Sequence, residues 1–223
     1  VGFNEIQSTA VVLGVVIGLI STGGFVQVIG KQASFYWNYE DYKMTNKTIN
    51  YLHKIGMLSI FFVLTTIFLV NFFFHIYPYE ILFVVFAYAF LVGMLLLMLA
   101  PLHTIKQRWV ITFAIFVGTA VAIFLKETTH LLIFATHWIG IGVAVIIAKL
   151  FLVAYFYRLT KNKKSISGDK IKVPVLLYHN YQYFFYGIFI YVFIFIDRIL
   201  AWSSGINGNL PFLVYFEKNY EVG

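Results

Sequence analysis

Six long runs of apolar residues divide this chain of 223 residues, and their length is the strongest constraint on its fold. The runs cover about residues 9–30, 55–76, 80–102, 109–125, 131–157 and 181–202. Each is close to the ~20 residues that an α-helix needs to cross ~30 Å of hydrocarbon. Only 11% of the residues are charged, too few to give a soluble fold a polar face. The pattern predicts an all-α, polytopic membrane bundle of about six transmembrane helices.

Basic residues between the runs predict the sidedness of this bundle. Twelve Lys and Arg residues lie in alternate connections, whereas Lys126 is the only one in the other connections. The positive-inside rule therefore places loops 31–54, 103–108 and 158–180 in the cytoplasm. We expect the net charge of +7 to meet anionic lipid headgroups and not nucleic acid.

The connections also suggest how the chain is organised. Residues 1–157 are predicted to hold helices 1–5, residues 158–180 a basic cytoplasmic linker, and residues 181–223 helix 6 with an outer segment. Spaced aromatic and aliphatic residues within 31–54 predict a short helix lying on the membrane surface. Because the chain begins with Val1 and not Met, we expect it to be a piece of a longer protein.

Small residues inside the runs indicate where helices pack closely. A glycine leaves room for the backbone of a neighbouring helix, which is a common device in membrane proteins. The candidates include a GxxxG pair and several single positions: Gly14, Gly18, Gly23, Gly24, Gly93, Gly118, Gly140, Gly142 and Gly187.

Motifs of soluble enzymes are missing from the sequence. It contains no GxxxxGK[ST] phosphate loop, no GxSxG and no HExxH, and without Cys it can form neither a disulfide nor a thiolate metal site. His130 and His137 are seven residues apart and have no third ligand nearby, so we interpret each as a hydrogen-bonded or an interfacial histidine. We therefore predict no catalytic residue, no metal and no cofactor.

Ionisable residues within the apolar runs are the candidate functional residues. A charge at the bilayer centre costs about 2.5–3.5 kcal/mol on insertion scales, so such residues usually face a cavity or a partner. Asp197 and Arg198 lie in the sixth run, about 24 Å from Tyr181 along the helix, and Arg198 could instead reach the outer headgroups. Lys149 lies two turns before Arg158 and could extend to the nearer headgroups. For the uncharged polar residues Asn71, Thr65, Thr66 and Gln27 we expect hydrogen bonds between helices.

Two segments resemble the Pel-type exopolysaccharide exporters, the PelG family. Residues 22–25 (Thr-Gly-Gly-Phe) resemble that family's TGxF segment after an early span. Residues 186–189 (Tyr-Gly-Ile-Phe) and 196–202, with their Asp-Arg-x-x-x-Trp core, resemble that family's GLxYNLxxWxDKxxFW segment, and residues 215–221 fit the same register. The family belongs to the MATE-like (MOP) flippase superfamily, whose members have two helical bundles, and this chain would supply half or more of one such transporter.

The resemblance implies a function that composition and spacing do not. It implies export of a polysaccharide across the inner membrane by alternating access, beside a cytoplasmic glycosyltransferase and other membrane subunits. Asp197 and Arg198 would then line or gate the pathway, with Lys149 also on it, and Tyr191 would offer its ring to sugars. The alternatives are a transporter of lipid-linked oligosaccharide or drugs from the same superfamily, a non-transport scaffold subunit of a synthase complex, and a membrane enzyme.

Overall fold

Six long helices are found among the described residues of this multi-pass membrane protein. The computed structural model describes residues 5–129, 131–161, 176, 178–204 and 214, and every regular element among them is helical. The helices are α1 (Glu5–Asn38), α2 (Tyr42–Phe74), α3 (Tyr79–Thr104), α4 (Arg108–Thr128), α5 (Ile133–Thr160) and α6 (Tyr181–Ser204). All six are long and apolar enough to cross a membrane, which confirms the predicted all-α polytopic bundle.

The first connection differs from the prediction. Residues 31–38 continue α1, and residues 42–54 form the first turns of α2, so the predicted separate surface helix in 31–54 is wrong. Glu40 takes a left-handed conformation with φ 58°, and the Asp41 carboxylate accepts a hydrogen bond from the Met44 N–H at 3.0 Å. This N-cap satisfies a backbone donor that would otherwise have no partner at the start of α2. A tight turn therefore joins two long helices, and Met44, Ile49 and Leu52 of α2 are buried against the bundle.

The side chain of Asn71 stabilises the loop between α2 and α3. The Asn71 carboxamide accepts a hydrogen bond from the Tyr77 N–H at 2.7 Å and donates one to the Tyr77 carbonyl at 3.0 Å. His75 adopts φ 50°, which ends α2, and Pro78 precedes the first turn of α3. Asn71 thus satisfies loop backbone groups that lipid could not.

Helix α1 is the hub of the bundle, since it packs against α2, α3 and α6. Helix α5 lies against α3 and α4 and touches α2, whereas α6 packs mainly on α1. Among the described helices a glycine faces a glycine at three crossings, one of which pairs Gly18 of α1 with Gly93 of α3. A Cβ atom added to Gly118 would lie 2.5 Å from the Gly140 carbonyl oxygen, and one added to Gly23 would collide with the carbonyl of Gly187. The predicted close approaches are confirmed there, while Gly142 has no neighbour within 4 Å of an added Cβ.

The three basic connections come together at one end of the bundle. Trp37 stacks on Tyr155 with ring centroids 6.3 Å apart, and the Gln107 amide donates to the Tyr155 hydroxyl at 3.4 Å. The Lys31 ammonium lies 5.1 Å from the centre of the Tyr183 ring. We call this end, which carries residues 31–54, 103–108 and 155–161, the basic end. Most of the predicted linker at 158–180 and of the outer segment lies outside the described residues.

Candidate functional site

The predicted site residues fall in three separate places. Lys149 is half-buried between α5 and α2, where it meets Asn50. Tyr191 is half-buried at the contact of α6 with α1, where its ring lies against Gly23. Asp197 and Arg198 are exposed near the far end of α6. The four residues therefore do not form one cluster within this bundle.

A cavity of about 410 Å³ lies around Lys149, between α2, α3 and α5. Its volume falls within the ~300–1,000 Å³ typical of small-molecule sites. The walls are largely apolar, and two lysines and two other polar side chains interrupt them. The lining residues are Asn50, His53, Lys54, Met57, Met94, Met98, Val145, Ile146, Lys149 and Leu150.

A short hydrogen-bonded chain positions the Lys149 ammonium in this cavity. Lys149 Nζ donates to Asn50 Oδ1 at 3.2 Å, and Asn50 Nδ2 donates to Asn46 Oδ1 at 2.8 Å. Asn46 and Asn50 are one helical turn apart, so their side chains lie on the same face of α2. Lys149 therefore turns toward α2, and its remaining N–H groups stay available to another acceptor.

His53 forms the other polar part of the cavity wall and compensates a break in α3. Pro101 has no N–H, so the helix cannot supply the usual donor to the carbonyl of Leu97, four residues earlier. His53 Nε2 lies 2.5 Å from that carbonyl oxygen. Because a carbonyl can only accept, Nε2 carries the proton. The proline and the histidine are thus complementary across the α2–α3 contact.

The second nitrogen of His53 has no such partner. With Nε2 protonated, Nδ1 of the neutral imidazole is an acceptor. His53 is only 3% exposed, yet Nδ1 has no hydrogen-bond partner in the part of the chain that the structure describes. Buried polar atoms are nearly always hydrogen-bonded to protein or water, so this atom is a notable exception.

The exposed side of α6 is the second place of interest. The helix contacts α1 through Phe184 and Gly187, while Phe193 is 80% exposed. Asp197 Oδ1 accepts a hydrogen bond from the Arg198 backbone N–H at 2.8 Å. The charged pair therefore lies among exposed residues of a largely apolar helix.

The side chains in these two places are groups that can bind a ligand. Among the described residues, no three His, Asp or Glu side chains come together as a metal cluster. His137 Nδ1 lies 3.1 Å from the Tyr88 hydroxyl, and His130 lies outside the described residues. Ammonium, amide and imidazole groups in an apolar cavity can bind an anionic or a polar ligand.

The sequence analysis missed His53 and Asn50. His53 could have been found from Pro101, because a proline inside a span leaves a carbonyl that a neighbouring helix must satisfy. Asn50 carries no comparable signal, since its role depends on how α2 and α5 are aligned. The expectation of hydrogen bonds between helices is wrong for three residues: Asn71 bonds the following loop, and Thr65 and Thr66 donate to the carbonyls of Phe61 and Phe62 on their own helix.

No family model, curated protein or solved structure gives a significant match to this chain. The resemblance to the Pel-type exporters therefore stays a prediction. Since a helical bundle can serve many functions, function has to be argued from the cavity and from the uncovered side of α6.

Proposed function

We propose that this chain is one helical bundle of an inner-membrane transporter that exports a polysaccharide by alternating access. The observation that carries the proposal is the exposed Asp197–Arg198 pair on an apolar helix. Charged residues inside membrane spans usually face a protein surface or a water-filled pathway, because facing lipid is costly. The Asp197 carboxylate is exposed on this helix, which fits a second bundle or a wet pathway lying against it.

The shape of α6 supports a pathway wall. It is attached to α1 along a narrow stripe around Gly187, which leaves a broad side free for a partner bundle. Exposed rings on this side, including Phe189 and Phe193, suit stacking on sugars, with the half-buried Tyr191 beside them. Secondary transporters commonly rock two bundles around a site at their interface, which fits a half that is open on one side.

Sidedness supports the direction of transport. The three basic connections share one end of the bundle, and the positive-inside rule would make that end cytoplasmic. A cytoplasmic glycosyltransferase and other membrane subunits would then meet the protein at the basic end. Asp197 and Arg198 would lie toward the opposite, outer mouth of the pathway.

The test replaces Asp197 by Asn in the full-length protein. We expect export of the polymer to fall at least about tenfold, since the loss of ~1.4 kcal/mol on the pathway has that effect on a rate. Membrane insertion and protein level should stay unchanged. Exported polymer is measured per amount of membrane-inserted protein.

Glu127→Gln is the matched control because it removes one exposed carboxylate at the end of α4. Normal export from Glu127→Gln and reduced export from Asp197→Asn would support the proposal. Wild-type export from Asp197→Asn would remove Asp197 from the pathway. Release of lipid-linked oligosaccharide or drug from vesicles, or co-purification with a synthase without any flux, would favour the alternative functions.

A further inference from the structure

The cavity between α2, α3 and α5 has the features of a binding site for an amphiphile. We call it the lysine groove and define it by Lys54, Met57, Met94, Met98, Lys149 and Leu150. Lys54 and Leu150 are exposed at its rim, whereas Met98 is buried in its wall. The groove thus combines two ammonium groups with an apolar channel that is accessible from outside the bundle.

The two ammonium groups have no acidic partner among the residues that the structure describes. Lys149 donates to Asn50, and no carboxylate forms an ion pair with Lys149 or Lys54 in the described ranges. Two nearby positive charges repel each other, and an anion placed between them would relieve that repulsion. Charge complementarity therefore favours an anionic ligand.

The buried histidine points to an occupant independently. His53 lines the same groove at 3% exposure, and its Nδ1 is without a hydrogen-bond donor in the described structure. A ligand hydroxyl, or a water held by the ligand, would supply that donor. The headgroup of phosphatidylglycerol carries glycerol hydroxyls beside the negative charge of its phosphodiester.

The depth of the lysines matches a lipid headgroup. About 20 residues cross the hydrocarbon, so a span that starts at Ile133 in α5 reaches about residue 152. A span counted back from Phe74 in α2 reaches about residue 55 by the same measure. Lys149 and Lys54 consequently both lie within about one turn of the hydrocarbon boundary at the basic end.

We propose that the lysine groove binds an anionic phospholipid from the leaflet at the basic end. Its phosphate contacts Lys149 and Lys54, and an acyl chain lies along Met57, Met94 and Leu150. The inference does not depend on the proposed export function, because it rests on another surface of the bundle.

The experiment measures phospholipid binding to the full chain in a zwitterionic detergent. The probes are phosphatidylglycerol, phosphatidylcholine with matched acyl chains, and inorganic phosphate. Native mass spectrometry counts bound lipid, and thermal unfolding reports stabilisation. We expect phosphatidylglycerol to bind at least about tenfold more tightly than phosphatidylcholine, as for a charge-assisted contact.

Two variants in the groove and one control outside it locate the site. Lys149→Gln should abolish the preference for phosphatidylglycerol, while Lys43→Gln, which removes an exposed lysine at the same end, should retain it. Val145→Phe keeps every charge and narrows the groove, so it should also lose lipid, which provides a test if Lys149→Gln does not fold.

Several results would overturn the proposal. An equal preference for phosphatidylglycerol in wild type and Lys149→Gln would show diffuse attraction to the basic end. Stabilisation by inorganic phosphate equal to that by the lipid would assign the groove to a free phosphate. Undiminished lipid binding in Val145→Phe would place the acyl chain elsewhere.

Discussion

Helices α1 and α6 are similar in apolarity but very different in burial. Half of the residues in the most apolar stretch of α1 are buried, against 6% in that of α6. Helix α1 presents Gly14 and Gly18 to α3 and Gly23 to α6, so two neighbours approach its backbone closely. Helix α6 has one glycine, Gly187, which packs against Gly23, and it is otherwise rich in aromatic side chains. In lipid, small residues and not hydropathy decide which helix becomes the hub.

The largest expected effect comes from filling the two glycine contacts of α1. A Cβ added to Gly18 would lie 2.7 Å from the Ala89 carbonyl oxygen, so Gly18→Leu should separate α1 from α3 and destabilise the bundle by about 3 kcal/mol. Gly187→Leu should release α6 alone. Cross-linking of cysteine pairs, one across α1–α3 and one across α1–α6, distinguishes the two results because the chain has no Cys of its own.

Gly142→Leu is the control for these substitutions, since an added Cβ there meets nothing within 4 Å. It should leave both cross-links intact. If Gly187→Leu unfolded the bundle as fully as Gly18→Leu, α6 would belong to the core and the contrast between the two helices would fail.

A smaller effect is expected from the buried polar contact between α2 and α3, where His53 meets the Leu97 carbonyl. His53→Leu removes the donor to the Leu97 carbonyl and should destabilise the protein by about 1–3 kcal/mol. Pro101→Ala in the same chain restores the helical N–H and should recover most of that loss. Thermal unfolding in detergent measures both.

Replacing the exposed Asp197 should have less effect on stability than replacing the buried His53. Asp197→Asn should leave the unfolding midpoint unchanged, because the side chain is exposed.

If Pro101→Ala gave no recovery in the His53→Leu background, the loss of stability would come from packing alone and not from the Leu97 carbonyl.

The smallest expected effect is on the contact between Tyr77 and Val214, a residue that follows α6 in the chain. The Tyr77 hydroxyl donates to the Val214 carbonyl at 3.1 Å and accepts from the Val214 N–H at 3.2 Å. Burial raises the pKa of Tyr77 above its ordinary value near 10, although the hydrogen bond to Val214 lowers it in part. The neutral hydroxyl therefore stabilises the contact fully below pH ~10, and that contribution is lost as pH rises through the folded-state pKa.

Hydrogen exchange at the Val214 amide measures this contact. Tyr77→Phe should weaken protection there by about 0.5–1.5 kcal/mol and remove its decline at alkaline pH. Protection that declined equally in the variant would mean that another group titrates.

The fold was largely predictable because each span must satisfy the same length and apolarity. The boundaries at 31–54 were not, since helix can continue through a polar connection once Asp41 caps the next helix and Met44 and Ile49 are buried against neighbours. The candidate site was predictable only in part. Lys149 was noticeable as a charge in an apolar run, whereas His53 and Asn50 acquired their roles from α3 and α5.

The amino-acid sequence alone determined that six helices cross the bilayer and that the basic connections share one end. Length, apolarity and loop charge are local properties, and lipid and the positive-inside rule act on them directly. Only the tertiary structure decided that α1 is the hub, that His53 completes the break at Pro101 and that Asp197 is uncovered. Those features depend on which helices become neighbours, and six apolar runs of similar hydropathy do not distinguish among the possible arrangements.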